Sequence, residues 1–474
     1  MGEVVPFAAT VFREGHDSLG AHVVLTTPDG SVEHHTLTQR VAGTDRWHVD
    51  VPLLQQGTHR WHVEAYADDW ATWLHAASVK IGAGVDVELM LLEGAQLLER
   101  AATLAAASPA ATVLTDARAV MRKMTLTPAA RLAVASDARV VAALAAHPLR
   151  SLVTRSEQLV LRVERARAAV GSWYEFFPRS EGAKQRKDGS WQSGTFATAA
   201  KRLPAIASMG FDVVYLPPIH PVGRVNRKGP NNTLTPGPHD PGSPWAIGSS
   251  EGGHEAVHPD LGTVADFEAF VATAAKNGIE IAIDLALQCA PDHPWVTEHP
   301  EWFTTLPDGS IRYAENPPKK YQDIYPLNFD NDPEGLSNEV LRIVRLWIER
   351  GVRIFRVDNP HTKPLHFWEW LLHEVNTEHP DIVFLAEAFT RPPMMQALAG
   401  AGYQQSYTYF TWRNTKLELE TYLTELSHES SAYLRPNLFV NTPDILTEYL
   451  QFGGVPAYKI RAAIAATASP TWGV

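Results

Sequence analysis

Three hydrophobic rhythms follow one another along the chain. Over residues 1–87 apolar and polar positions alternate with a period of two. "AHVVLTT" and "VEHHTLTQR" flank the turn residues Pro28, Asp29 and Gly30, and "RWHVDVPL" and "HRWHVEAYA" meet across Gln56 and Gly57. Such runs bounded by turn residues predict a small β-sandwich. Over residues 88–169 the composition shifts to Ala, Leu and Arg, as in "LLEGAQLLERAATLAAA" and "SEQLVLRVERARAAV". Apolar residues there recur at three and four, and Ser108-Pro109 and Thr127-Pro128 read as helix starts. This stretch predicts a helical-bundle insert of about four helices.

From Gly171 the rhythm changes again, to buried strands alternating with amphipathic helices. Strands are expected at 172–177, 211–218, 279–287, "VRIFRVD", "IVFLAEA", 406–410, 437–441 and "PTWGV". Glycines 210, 278 and 351 close three of the intervening helices. Eight such units predict an α/β fold, a (β/α)8 or TIM barrel, over residues 170–474. Two connections, 217–263 and 288–335, are long, and the second is expected to form a loop subdomain. Both leave the C-terminal ends of strands, where barrels of this kind place their active sites. The expected eighth strand lacks a following helix, so a longer parent chain is expected.

Composition narrows the partners. The 474 residues carry a formal net charge of −12, which argues against nucleic acid and anionic membranes. No basic-then-apolar leader and no apolar run of membrane-spanning length is present. The single cysteine, Cys289, permits no intramolecular disulfide and fits a reducing cytoplasm. Fourteen tryptophans serve either as core filling or as platforms for sugar rings.

The candidate chemistry is carboxylate chemistry. Asp358 follows the fourth strand, Glu387 ends the fifth and Asp444 follows the seventh, all on one rim, with Asp284 inside the third. Each alone could be a cap or an ion-pair partner. Together they predict glycosyl transfer, in which a retaining mechanism needs a carboxylate nucleophile and a carboxylic acid about 5 Å apart. Arg356, two residues before Asp358 on the same strand face, is placed to keep the nucleophile ionised. Crowding by Asp358 and apolar walls would raise the acid's pKa.

The set Gly351, Arg356-Val357-Asp358, His361, Glu387, Asn441 and Asp444, with "EAVHPDLGT" after strand two, resembles the conserved regions of the α-amylase superfamily. The resemblance covers about 171–474. It implies Asp358 as nucleophile, Glu387 as general acid/base and Asp444 as transition-state stabiliser. Two departures stand out: strand three continues "DLALQCAPDHP" where the superfamily has Asn-His, and Pro443 precedes Asp444 where it has His. These departures, with "NRKGPNNTL", "ENPPKKYQDIYPLNFD", "RVDNPHTKP" and "NTPDIL", resemble the α-1,4-glucan:maltose-1-phosphate maltosyltransferases. The match extends to the sandwich and helical insert, and implies a further C-terminal β-domain.

That resemblance implies an α-maltose 1-phosphate donor, an α-1,4-glucan acceptor, no metal or other cofactor, and a homodimer formed through the N-terminal regions. A departing phosphate needs cations and amide donors beside the nucleophile. By resemblance, Lys228, Gln288, Asp323 and Asn359 contact the donor, and Lys319 and Tyr321 lie close to its phosphate. His361 could orient a substrate or cap a helix. His293 and His299 near Asp292 lack metal-ligand spacing, and "GGHEAVH" is not a metalloprotease motif. The rival readings are an α-glucan hydrolase or a trehalose/sucrose-type isomerase on the same barrel, and, in another class, a non-catalytic glucan-binding scaffold.

Overall fold

Residues 1–41 and 43–474 are described by the computed structural model, in two units, Met1–Glu164 and Arg165–Val474. In the first unit, strands Val4–Thr10, Thr38–Gln39 and Arg46–Pro52 form one antiparallel sheet. Strands Leu19–Thr26, Val32–Thr36, Gly57–Asp68, Arg150–Arg155 and Leu159–Val163 form the other. One apolar cluster takes Phe7 and Val51 from the first sheet, Leu53 just past it, and Val23, Leu25 and Val163 from the second. The Phe7 ring meets Trp61 edge-on at 4.9 Å.

The helices of this unit depart from the expected boundary. They begin at Asp69, not at 88, because Asp68 ends its strand and caps the next helix, its carboxylate accepting from the Ala71 amide at 2.9 Å. Residues 150–163, expected to be helical, are two strands, both paired with Gly57–Asp68. The run "LVLRV" fits either period, and the β-branched Val160 and Val163 suit the strand. The edge of a 12-residue strand then supplies the backbone partners that decide between them.

The second unit is a closed parallel barrel. Its strands are β1 Gly171–Glu175, β2 Val213–Leu216, β3 Glu280–Leu285, β4 Ile354–Asp358, β5 Val383–Glu387, β6 Gln405–Tyr407, β7 Pro436–Phe439 and β8 Thr471–Gly473. They pair in chain order, and β8 pairs with β1. Strand alternation sorts the side chains. Val214, Ile281, Ile283, Phe355 and Phe384 face outward, into a core shared with Trp347 and Trp368 of the surrounding helices. Trp173, Val213, Tyr215, Ala282, Ile354, Leu385, Tyr407 and Phe439 fill the interior. Gly473 closes the ring at a point with no room for a side chain: a Cβ there would lie 2.7 Å from the Phe439 ring.

The two long connections are built rather than loose. In 288–335, Gln288–Cys289 pairs with Tyr325–Pro326, and Ala314–Asn316 pairs with Lys319–Tyr321. The 217–263 connection is tied to it, since the Asn226 amide donates to the Gln322 carbonyl at 3.2 Å. Among the described residues, no helix is long and apolar enough to cross a membrane.

Candidate active site

The site is built around one guanidinium. Alternation along β4 turns Arg356 and Asp358 inward at the strand's C-terminal end. Arg356 Nη1 donates to Asp358 Oδ1 at 2.7 Å and to Asp284 Oδ2 on β3 at 3.0 Å. Its Nη2 lies 3.4 Å from Glu387 Oε1 on β5. The sequence assigned Arg356 to Asp358 alone, whereas here three carboxylates share it. Burial works against its charge, and Asp284, Glu387 and Asp358 more than offset that, leaving its pKa well above the usual guanidinium value.

The carboxylates differ in surroundings. Asp284 is fully buried and accepts from Tyr215 Oη at 2.6 Å and Trp245 Nε1 at 3.0 Å. Burial, then the charge of Asp358, pushes its pKa up against Arg356. Glu387 is the register partner of Asp358, and its Oε2 accepts from the Asn359 amide at 3.1 Å. Burial and then the neighbouring Asp358 raise its carboxyl to about 7, with Arg356 opposing. Asp444 sits in a turn closed by the Ile445 amide donating to Thr442 Oγ1 at 3.1 Å, and its side chain reaches solvent. Its pKa is raised, by burial first and then by Asp358, while Arg356 and Lys319 pull it down.

Asn359 has a left-handed backbone with φ of 43°, a conformation asparagine tolerates better than most residues. That turn brings its main-chain amide to Glu387 and lets its side-chain amide donate to Asp358 Oδ2 at 3.3 Å. Strained backbone of this kind concentrates at functional sites.

The remaining candidates group by degrees. Gln288 donates to the Trp245 carbonyl at 3.2 Å, and so joins the carboxylates through the same tryptophan that holds Asp284. Lys228 is buried and donates to Gln322 Oε1 at 2.6 Å. The adjoining Asp323 is also buried; burial raises its pKa and Lys228 draws it back. Lys319 lies over the Tyr321 ring at 4.9 Å on the exposed hairpin. Among the described residues, none of Lys228, Lys319 and Tyr321 makes a hydrogen bond to the carboxylates. His361 caps no helix, since Pro364 holds the N-cap of Leu365–Glu378.

Comparison with known proteins fixes the family. Residues 1–165 match the family model described as α-1,4-glucan:maltose-1-phosphate maltosyltransferase, domain N/S. An α-1,4-glucan:maltose-1-phosphate maltosyltransferase of Streptomyces coelicolor is 58% identical over 474 residues, 100% of this chain and 70% of that protein. The chain belongs to this maltosyltransferase family. A member from Arcanobacterium haemolyticum is 55% identical over 477 residues, again 100% of this chain and 69% of that protein. The solved α-amylase from H. orenii agrees in fold, with a TM-score of 0.50 and 18% identity over 64% of this chain and 68% of that one.

Within this maltosyltransferase chain, one further cluster resembles a metal site. The ligand atoms of His254, Cys289 and His293 lie within 4.8 Å of one another, all buried. Hydrogen bonding nevertheless engages both histidines' lone pairs. His254 Nε2 faces the Ala286 carbonyl at 2.9 Å and must donate, so its Nδ1 accepts from His293 Nε2 at 3.1 Å. His293 Nδ1 accepts from the Trp295 amide at 3.0 Å. Burial lowers His254 to about 4 and His293 to about 2, which keeps both neutral. The relay fastens the two long connections of the maltosyltransferase barrel.

Sequence reasoning missed several members of the site. Tyr215 and Trp245 carry no motif of their own, and their hydrogen bonds to Asp284 emerge only on folding. Lys363 was present in "NPHTKP". Burial lowers its pKa against the pull of Asp358, Glu387 and Asp284, so it belongs to the same field of charges.

Proposed function

We infer that the chain transfers a maltosyl group, with retention, from α-maltose 1-phosphate to the non-reducing end of an α-1,4-glucan, releasing phosphate. One observation carries the chemistry: Asp358 and Glu387 are register partners at the ends of adjacent strands. Neighbouring strands lie about 4.8 Å apart, and inward carboxyls at that separation suit retention, for which about 5 Å is needed. The maltosyltransferases that share 50–58% identity with this chain supply the donor and acceptor.

In this reading an Asp358 oxygen attacks the anomeric carbon as the bond to phosphate breaks. Arg356 holds the nucleophile, and the raised pKa of Glu387 lets it assist the departing oxygen. In the second step Glu387 takes the proton of the acceptor 4-hydroxyl, which attacks the glycosyl ester and restores the original anomer. Asp444 steadies the transition state. Lys228, Gln288, Asp323 and Asn359 hold the donor, with Lys319 and Tyr321 near its phosphate. The reading includes cytoplasmic action, an N-terminal sandwich with a helical insert, and a homodimer formed through them.

Incubation of the protein with maltose 1-phosphate and maltohexaose tests this reading. It predicts stoichiometric phosphate and products longer by two glucose units. Release of free maltose alone would refute transfer.

A further inference from the structure

Strand β1 ends in a carboxyl that the mechanism leaves unused. Alternation along β1 turns Trp173 into the barrel interior and Tyr174 outward among the helices, so Glu175 points inward. Its register partner on β2 is Tyr215, which reaches Asp284. In a ring of eight strands β1 stands opposite β5, so Glu175 faces Glu387 across the mouth.

We propose that Glu175 is a further donor-binding residue, whose carboxyl takes a hydroxyl of the sugar ring seated over Asp358. The assignment deepens the transferase reading and rests on it. Glu175 Oε2 is shielded from solvent and has no hydrogen-bond partner among the described residues. A buried carboxyl oxygen without a partner is costly, and a bound hydroxyl would remove that cost. Asp284, by contrast, is already occupied by Arg356, Tyr215 and Trp245, while the buried Tyr407 hydroxyl shares with Glu175 the lack of a partner among the described residues.

The charges around Glu175 fix the form in which it acts. It is faced by Tyr215, Asp284, Arg356, Glu387, Tyr407 and Asp444, each from a different strand or strand end. Burial raises its pKa to about 8; Arg356 opposes this, and Asp284, Asp444 and Glu387 add to it. At neutral pH it is therefore a carboxylic acid, able both to donate to and to accept from a hydroxyl. In that form it adds no negative charge beside a donor that carries a phosphate.

The test is donor binding in an Asp358→Ala background, where turnover does not intervene. Calorimetric Kd values for maltose 1-phosphate are taken between about pH 7 and pH 9, where a phosphate monoester (second pKa about 6) stays ionised. Affinity should fall roughly tenfold across that range as Glu175 ionises, and adding Glu175→Gln should flatten the profile. Glu175→Ala should weaken binding at neutral pH by about tenfold, the loss expected for one hydrogen bond. An unchanged pH profile in the Gln variant, or unchanged neutral affinity in the Ala variant, overturns the proposal. If the Ala variant does not fold, the Gln profile decides alone. Phosphate release by the unmodified protein reports the transferase reading separately, so the two failures are distinguishable.

Discussion

At the scale of single residues, the site is a problem in charge. Arg356 contacts Asp284, Asp358 and Glu387 together, and all four side chains are largely withdrawn from water. Replacing it with Met leaves three carboxylates unpaired, which should cost about 3–5 kcal/mol of stability and abolish transfer; denaturant unfolding and phosphate release check the two effects. In the proposed mechanism Glu387 serves as the acid only while protonated. Because its carboxyl is raised to about 7, kcat/KM should decline as pH rises through that value, and Glu387→Gln should remove the limb along with most activity. An unfolded glutamate ionises near its ordinary value of 4.5, whereas the folded Glu175 keeps its proton to about 8. The stability this proton confers is complete below about 4.5 and is lost as pH rises towards 8. The stability of Glu175→Gln relative to the unmodified protein should therefore increase between pH 5 and pH 8 and level off above, as read by unfolding at each pH.

At the scale of elements, β4 and β5 were legible because each is a buried, mostly apolar run ended by a carboxylate. Asp358 and Glu387 could be placed on one rim for that reason. The stretch 150–163 was not legible, since its apolar spacing suits both periods and only the long strand Gly57–Asp68 resolves it. Glu175 was passed over because "SWYEFF" reads as a plain strand, and an inward carboxyl becomes noticeable only once the ring closes. The tryptophans resolve mainly as core: Trp173, Trp347 and Trp368 are fully buried, while Trp191 and Trp412 remain exposed. Closure itself can be tested at β8. Gly473→Ala places a methyl against Phe439 and should destabilise the barrel by about 1–3 kcal/mol, visible as a lower unfolding midpoint.

At the scale of the whole chain, the order of hydrophobic rhythms already divided an N-terminal region from a barrel, and the structure places the division after Glu164. What the sequence could not convey is how the two long connections knit together through His254, His293 and Gln322. Cys289 lies at the base of that knot, fully buried, and burial pushes its thiol pKa well up. It should resist alkylation in the native protein and react on unfolding, so its labelling rate reports opening of the barrel's upper face.

In the proposed transfer Asp358 becomes covalently bonded to the sugar while Glu387 manages the proton. Mass spectrometry of the Glu387→Ala variant after brief exposure to maltose 1-phosphate tests it most directly, because loss of the acid/base should slow breakdown of the intermediate. One maltosyl group is expected on the peptide that contains Asp358, with one equivalent of phosphate released. Phosphate release without an adduct, or an adduct on another carboxylate, would contradict it.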